Sequence, residues 1–130
     1  MIIAKKGFAM RLVGGKAPNQ GRVEVYRSGE WGTVCDGSWD IEDAHVLCNA
    51  LGHTNASEAK SGAFFGQGTG PIGFGEIDCD GTEADLLQCP CPLCHQWETS
   101  FCTHYNDAGV ICSDSGKKIV DKLSNHINNL

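Results

Sequence analysis

Gly21-Arg22-Val23-Glu24-Val25-Tyr26-Arg27-Ser28-Gly29-Glu30-Trp31-Gly32-Thr33-Val34-Cys35 is the stretch on which the fold turns. Val23 and Val25 alternate with Arg22, Glu24 and Tyr26, which is the period of a half-buried strand. Ser28-Gly29-Glu30 then turns the chain into a second extended run, Trp31 to Cys35, so the two runs predict a β-hairpin. Cys35 is also the first of eight cysteines, with Cys48, Cys79, Cys89, Cys91, Cys94, Cys102 and Cys112, all confined to residues 35–112 of a 130-residue chain. An even, crowded set of this kind reads as a disulfide framework, and such frameworks persist in oxidising compartments. The chain is therefore expected to be secreted, or to be the extracellular part of a membrane receptor.

The length allows one compact domain, and 17 Gly, two Met and 41% hydrophobic residues point to a loop-rich fold with a modest core. The net charge of −6 is unevenly spread. Residues 1–16 carry four bases and no acid, whereas residues 17–112 carry fourteen acids against Arg22, Arg27 and Lys60. So acidic a domain repels nucleic acid, heparin-like chains and anionic membranes, and attracts cations or basic partners. No apolar run approaches the roughly 18 residues a membrane span needs, so this segment is not expected to insert into a bilayer. The opening MIIAKKGFAM lacks the apolar core of a secretory signal, and export then implies a leader removed from the mature chain.

Residues 1–10 read as an N-terminal extension or added residues, 11–113 as the domain, and 114–130 as a C-terminal tail. Arg11-Leu12-Val13 is a short strand candidate ahead of the hairpin. Asp40 is placed to cap a helix with Glu42 and Asp43 in its first turn, and Ala44, Leu47, Cys48 and Leu51 fall at helical spacing before Gly52. Ser61 to Gly75 holds six glycines, with Phe64, Phe65, Ile72 and Phe74 as expected anchors of an irregular loop. Glu76 to Cys79 reads as a short strand, Thr82 as the cap of a brief helix reaching Leu87, and Ala108 to Cys112 as a final apolar strand. In the tail, Ile119, Val120, Leu123, Ile127 and Leu130 lie at helical spacing.

Several ordered strings together resemble the scavenger receptor cysteine-rich (SRCR) family: Arg11 to Gly15, Gly21 to Val25, Trp31 to Asp36, Ser38-Trp39-Asp40, Leu51-Gly52, Phe65 to Ile72, and Asp107 to Cys112. The resemblance covers residues 11–113. It implies an α+β, disulfide-rich fold in which a curved antiparallel sheet of about six strands embraces one main helix, with a short second helix. It also implies the pairs Cys35 with Cys102, Cys48 with Cys112, and Cys79 with Cys89. The chain is similar to the six-cysteine group A, because the additional pair of the eight-cysteine group is missing near Asn19 and at His53. Its own two extra cysteines lie in Cys89-Pro90-Cys91-Pro92-Leu93-Cys94-His95. A local Cys91–Cys94 disulfide is the simplest completion. Competing readings are a redox pair, which would need a helix N-terminus to lower a thiol pKa, haem attachment through Cys-x-x-Cys-His, and zinc held by Cys91, Cys94, His95 and His104.

Family members often hold Ca²⁺ in acidic clusters, and the positions carried over are Asp36, Asn106, Asp107 and Glu76. The chain departs from the pattern at Gly37, Asn106, Gly75 and Phe101, where the family has acidic or polar residues. A hard cation wants six to eight oxygens, so solvated surface acids compete with an ion site here. Arg22 and Arg27 are candidate ligand anchors, weighed against pairing with neighbouring carboxylates. Asn55-Ala56-Ser57 is a glycosylation sequon at Asn55. No nucleophile elbow or zincin motif frames a Ser, His or Asp, so no catalytic residue and no resident cofactor is expected beyond Ca²⁺ as a candidate. The resemblance implies a non-enzymatic receptor module that recognises protein or microbial surface ligands, a role associated with innate immunity. The alternative is an accessory domain of a larger extracellular enzyme such as a protease or lysyl oxidase. The sequence does not address oligomeric state.

Overall fold

The computed structural model describes the backbone of residues 2–5 and, with side chains, residues 8–73, 75, 77–91 and 102–113. Seven strands form one sheet: β1 (Ile2–Lys5), β2 (Phe8–Gly14), β3 (Gln20–Arg27), β4 (Glu30–Val34), β5 (Ala56–Lys60), β6 (Ile72–Gly73) and β7 (Gly109–Cys112). The hairpin read from the sequence is β3–β4, with Tyr26 opposite Trp31 and Arg27 opposite Glu30. β2 runs along the whole of β3 on one side. On the other side β3 is shared, since Glu24–Arg27 pair with β4 while Gln20–Arg22 pair with β7. The sheet forks there, continuing through β4 to β6 and through β7 to β5. An isolated antiparallel bridge between Cys35 and Asp107 rejoins the branches.

This fork was not legible in the sequence, and neither were β5 and β6. β5, Ala-Ser-Glu-Ala-Lys, has no apolar alternation, and the two-residue β6 pairs in parallel with β4, so the sheet is mixed. β2 begins three residues earlier than Arg11. Phe8 and Met10 are buried in the core, so residues 8–10 belong to the domain and not to an extension. The strand expected at Glu76–Cys79 does not form over Ile77–Cys79, where backbone groups are instead taken up singly: Asp78 donates to the Pro90 carbonyl and Cys79 to the Asp43 carboxylate. The brief helix expected from Thr82 is one 3-10 turn, Leu86–Gln88, capped by Asp85. Glu76, Cys94 and the tail positions 119–130 lie outside the described residues.

Helix α1 (Ile41–Ala50) follows its sequence signals closely. The Asp40 carboxylate accepts from the Asp43 N–H at 3.0 Å while Asp43 accepts from the Asp40 N–H at 2.9 Å, a reciprocal capping box. At the far end the N–H groups of Gly52 and His53 close onto the carbonyls of Asn49 and Cys48. Ala44, Leu47, Cys48 and Leu51 face inward against Met10, Val23, Val25, Val34, Leu86 and Val110. Each such aliphatic side chain contributes about 1.5–3 kcal/mol on burial.

Three disulfides staple this core: Cys35–Cys102, Cys48–Cys112 and Cys79–Cys89. The first two span 67 and 64 residues and tie β4 and α1 to the C-terminal segment. Cys91 is also disulfide-bonded, and its expected partner Cys94 lies outside the described residues.

Candidate functional site

Three segments converge beside the end of β4: the 3-10 turn Asp36–Ser38, the glycine-rich loop 61–70, and the 3-10 turn His104–Asn106. Hydrogen bonds from loop amides hold them together. The N–H of Gly62 donates to the Asp36 carboxylate at 2.7 Å, that of Gly68 to the Asp107 carboxylate at 2.7 Å, and that of Ala63 to the Asp107 carbonyl at 3.1 Å. His104 clasps the same loop from the other side. Its Nδ1 lies 2.9 Å from the Asp107 carboxylate and its Nε2 lies 3.0 Å from the Gly70 carbonyl.

These contacts divide the acids carried over as a cation set. The Asp107 side chain is 0% exposed and its oxygens serve Gly68 and His104, so it is a buried structural carboxylate. Asn106 uses its carbonyl oxygen to accept from the Thr103 N–H, closing its own turn. Asp36 and Asn106 do share a surface hollow of about 320 Å³ with Ser38, Gly75 and the Cys35–Cys102 disulfide. Asp107 does not line it. A further group, Cys79, Glu83 and Cys89, has the spacing for an ion. Its two sulfurs are joined to each other, however, and a thiolate is what a metal requires. The zinc reading meets the same obstacle, because Cys91 is disulfide-bonded.

The arginines are placed differently. Glu24 sits between two guanidinium groups, with Arg22 at 2.9 Å from one oxygen and Arg11 at 2.7 Å from the other. Arg22 also donates to the carbonyl of Gly66 at 3.2 Å, anchoring the glycine-rich loop to β3. Arg22 is thus committed to the frame. Arg11 in turn lies 3.9 Å over the Trp31 ring, which packs against Tyr26. Arg27 is half-buried at the end of the hairpin, and burial lowers its guanidinium from the ordinary value.

Asp43 shows what burial does to an acid. Desolvation pushes its carboxyl up from 3.8 to about 6, against the lowering effect of the N–H bonds from Cys79 and Asp40. A folded-state value above the unfolded one means that the stabilisation from protonating Asp43 is fully present below about 3.8 and is lost as pH rises through about 6. Carbon-13 titration of the Asp43 carboxyl should show a midpoint near 6. The thermal midpoint of the native domain minus that of Asp43→Asn should rise on acidification from pH 7.5 to 5. A midpoint at the ordinary value, with a flat difference, would contradict this account.

The sequon is accessible, since Asn55 and Ser57 are exposed at the start of β5. Asn55 adopts φ +55° and its side-chain oxygen accepts from Asn49 at 2.7 Å, leaving the amide nitrogen turned away from that bond. Phe64 departs from its expected role, for it is 60% exposed while its neighbour Phe65 packs over the sheet. Tyr105, which the sequence did not single out, is 71% exposed on the turn between His104 and Asn106.

A forked, curled sheet around one helix, stapled by long-range disulfides and presenting loops at the fork, defines a disulfide-rich α+β domain of SRCR type. The scavenger receptor cysteine-rich domain model matches residues 13–113, and the chain belongs to that family. Galectin-3-binding protein of Mus musculus is 49% identical over 114 residues, which is 86% of this chain and 19% of that protein. The Pongo abelii protein of the same name is 52% identical over 105 residues, 81% of this chain and 18% of that protein. The chain thus spans about a fifth of these relatives. Among solved structures, the third SRCR domain of murine neurotrypsin is 42% identical with a TM-score of 0.73, covering 82% of this chain and 96% of that one. The dimeric form of the SRCR domain of mouse MARCO is 43% identical with a TM-score of 0.64, covering 79% and 93%. SRCR domains occur in extracellular and secreted proteins. No helix among the described residues is long and apolar enough to cross a membrane.

Proposed function

We propose that this domain is an extracellular, non-enzymatic recognition module that binds a protein or microbial surface ligand through loops held rigid by the disulfide frame. One observation carries this reading: Phe64 and Tyr105 are exposed aromatics on segments whose neighbours are pinned by side-chain hydrogen bonds from Arg22, Asp107 and His104. Rigid exposed aromatics supply contact area at little cost in conformational entropy, which is what a recognition surface needs. Asp107 and Arg22 serve the frame, Asp107 bound to Gly68 and His104, and Arg22 to Glu24.

Cations play at most a minor part in this reading. Of the described candidates only Asp36 offers a carboxylate to the hollow, and one of its oxygens already holds Gly62. Asn55 is proposed to carry a glycan, which would project from β5. An accessory domain within a longer extracellular enzyme is the second reading, and the neurotrypsin neighbour, the third SRCR domain of its parent, is an instance of such a domain within a longer protein. The sequence flanking this segment decides between the two.

Galectin-3, for which the mammalian relatives are named, and fixed bacterial cells are the first ligands to offer the immobilised domain. Capture of either in EDTA, weakened about tenfold by Tyr105→Ala or Phe64→Ala, is expected. Failure to capture either, or capture untouched by both substitutions, would contradict the reading.

A further inference from the structure

The outer face of the sheet carries a hollow of about 430 Å³ between the β2–β3 turn and the glycine-rich loop, lined by Gly14, Lys16, Gln20, Phe64, Phe65 and Ile111. We propose that this groove docks an extended segment of a protein partner in which a large apolar side chain stands beside an aspartate or glutamate. The inference rests on the recognition reading above and assigns one of its binding surfaces.

The groove is built rather than incidental. A Cβ at Gly14 would stand 2.6 Å from the Phe65 carbonyl oxygen, and one at Gly109 would stand 2.7 Å from the Phe65 ring, so the loop can lie this close only over glycines. Arg22 bonds the Gly66 carbonyl and Asp107 bonds the Gly68 N–H, fixing the loop just beyond the two phenylalanines. Phe64 and Phe65 meet edge to face at 4.9 Å, so Phe64 stands as a wall of the groove even though it is largely in water. Ile111 is outward-facing on β7 and supplies further apolar lining.

The charge at the rim selects the occupant. Residues 17–112 hold fourteen acids against three bases, and Arg11 and Arg22 are both bound to Glu24. Lys16 is exposed at the groove and makes no ion pair among the described residues, while Lys60, paired with Glu58 at 3.1 Å, lies 4.3 Å over the Phe64 ring. One unpaired ammonium group, that of Lys16, stands at an apolar slot on an otherwise acidic domain. A polyanion or anionic bilayer would face the whole acidic field within the Debye length of about 8 Å, whereas a carboxylate beside an apolar side chain can sit at Lys16 alone.

The test uses the capped peptide acetyl-Gly-Phe-Asp-Glu-Gly-amide with the ¹⁵N-labelled domain. Saturable amide shifts at Gln20, Phe64, Phe65 and Ile111 are expected, with a dissociation constant of about 1 mM. The uncharged analogue acetyl-Gly-Phe-Asn-Gln-Gly-amide, and the exposed-site substitution Lys16→Glu, should each weaken binding about fivefold. Tyr105→Ala should leave the titration unchanged. Absence of saturable shifts at these residues up to about 5 mM, or equal binding of the charged and uncharged peptides, overturns the assignment. If the peptide fails while ligand capture still responds to Tyr105→Ala, only the groove is wrong; if capture fails and the peptide binds, the groove stands without the broader reading.

Discussion

Removing the Cys48–Cys112 disulfide by the double substitution Cys48→Ala/Cys112→Ala is expected to lower the unfolding free energy by about 4 kcal/mol. The bond closes a loop of 64 residues, and in the chain-entropy model a loop of that size restricts the unfolded ensemble by about this amount. Both sulfurs lie in the fully packed interface between α1 and β7, so the native state also loses contacts there. For a domain of this size the thermal midpoint should fall by about 15–30 °C. Removing Cys79–Cys89, which spans only 10 residues, should cost about 3 kcal/mol. Chemical denaturation of the two double variants beside the native domain checks the order; a loss no larger for the long loop than for the short one would contradict it.

Asp107→Ala is the second large effect, expected at about 3–5 kcal/mol, because removing one member of a buried hydrogen-bonded pair strands the other. The substitution leaves the Gly68 N–H without its acceptor and removes the carboxylate that orients the His104 ring, loosening the loop that His104 otherwise holds at Gly70. Amide exchange at Gly68 and Ala63 should accelerate even where global stability is maintained at low temperature. Asp36→Ala, at a partly exposed carboxylate bonded to one loop N–H, should cost only about 1 kcal/mol. The contrast separates the two acids that family resemblance places in one cluster. An ion-ligand role for Asp107 would instead give a variant with native stability in EDTA.

How far the sequence could be read follows from which signals are local. The hairpin and α1 were legible because alternation, a capping Asp and a terminal Gly act within a few residues. The resemblance carried the pairing of six cysteines that local reasoning leaves open. The fork of β3 was hidden, since sharing of one strand edge between β4 and β7 depends on residues nearly ninety positions apart in the chain. β5 was hidden because Ser57 and Glu58 are exposed, and its Lys60 gives no apolar period. At the candidate site, Asp36 and Asp107 look alike in sequence. Only tertiary structure buries one against Gly68 and leaves the other at the edge of a hollow. Phe64 and Phe65 are adjacent and identical in type, yet one packs over Gly109 and the other faces water. A signal for that difference existed in the run of glycines around them, which permits a close approach of one ring without specifying which.

The account's central claim is that recognition rests on loops fixed by disulfides and side-chain hydrogen bonds and not on a tight Ca²⁺ site. Calorimetric titration of the native domain with CaCl₂ tests it most directly. No saturable heat is predicted at Ca²⁺ up to about 1 mM, because the described oxygens of Asn106 and Asp107 are committed elsewhere and Asp36 is left nearly alone. Saturable heat in that range, abolished by Asp36→Ala, would contradict it.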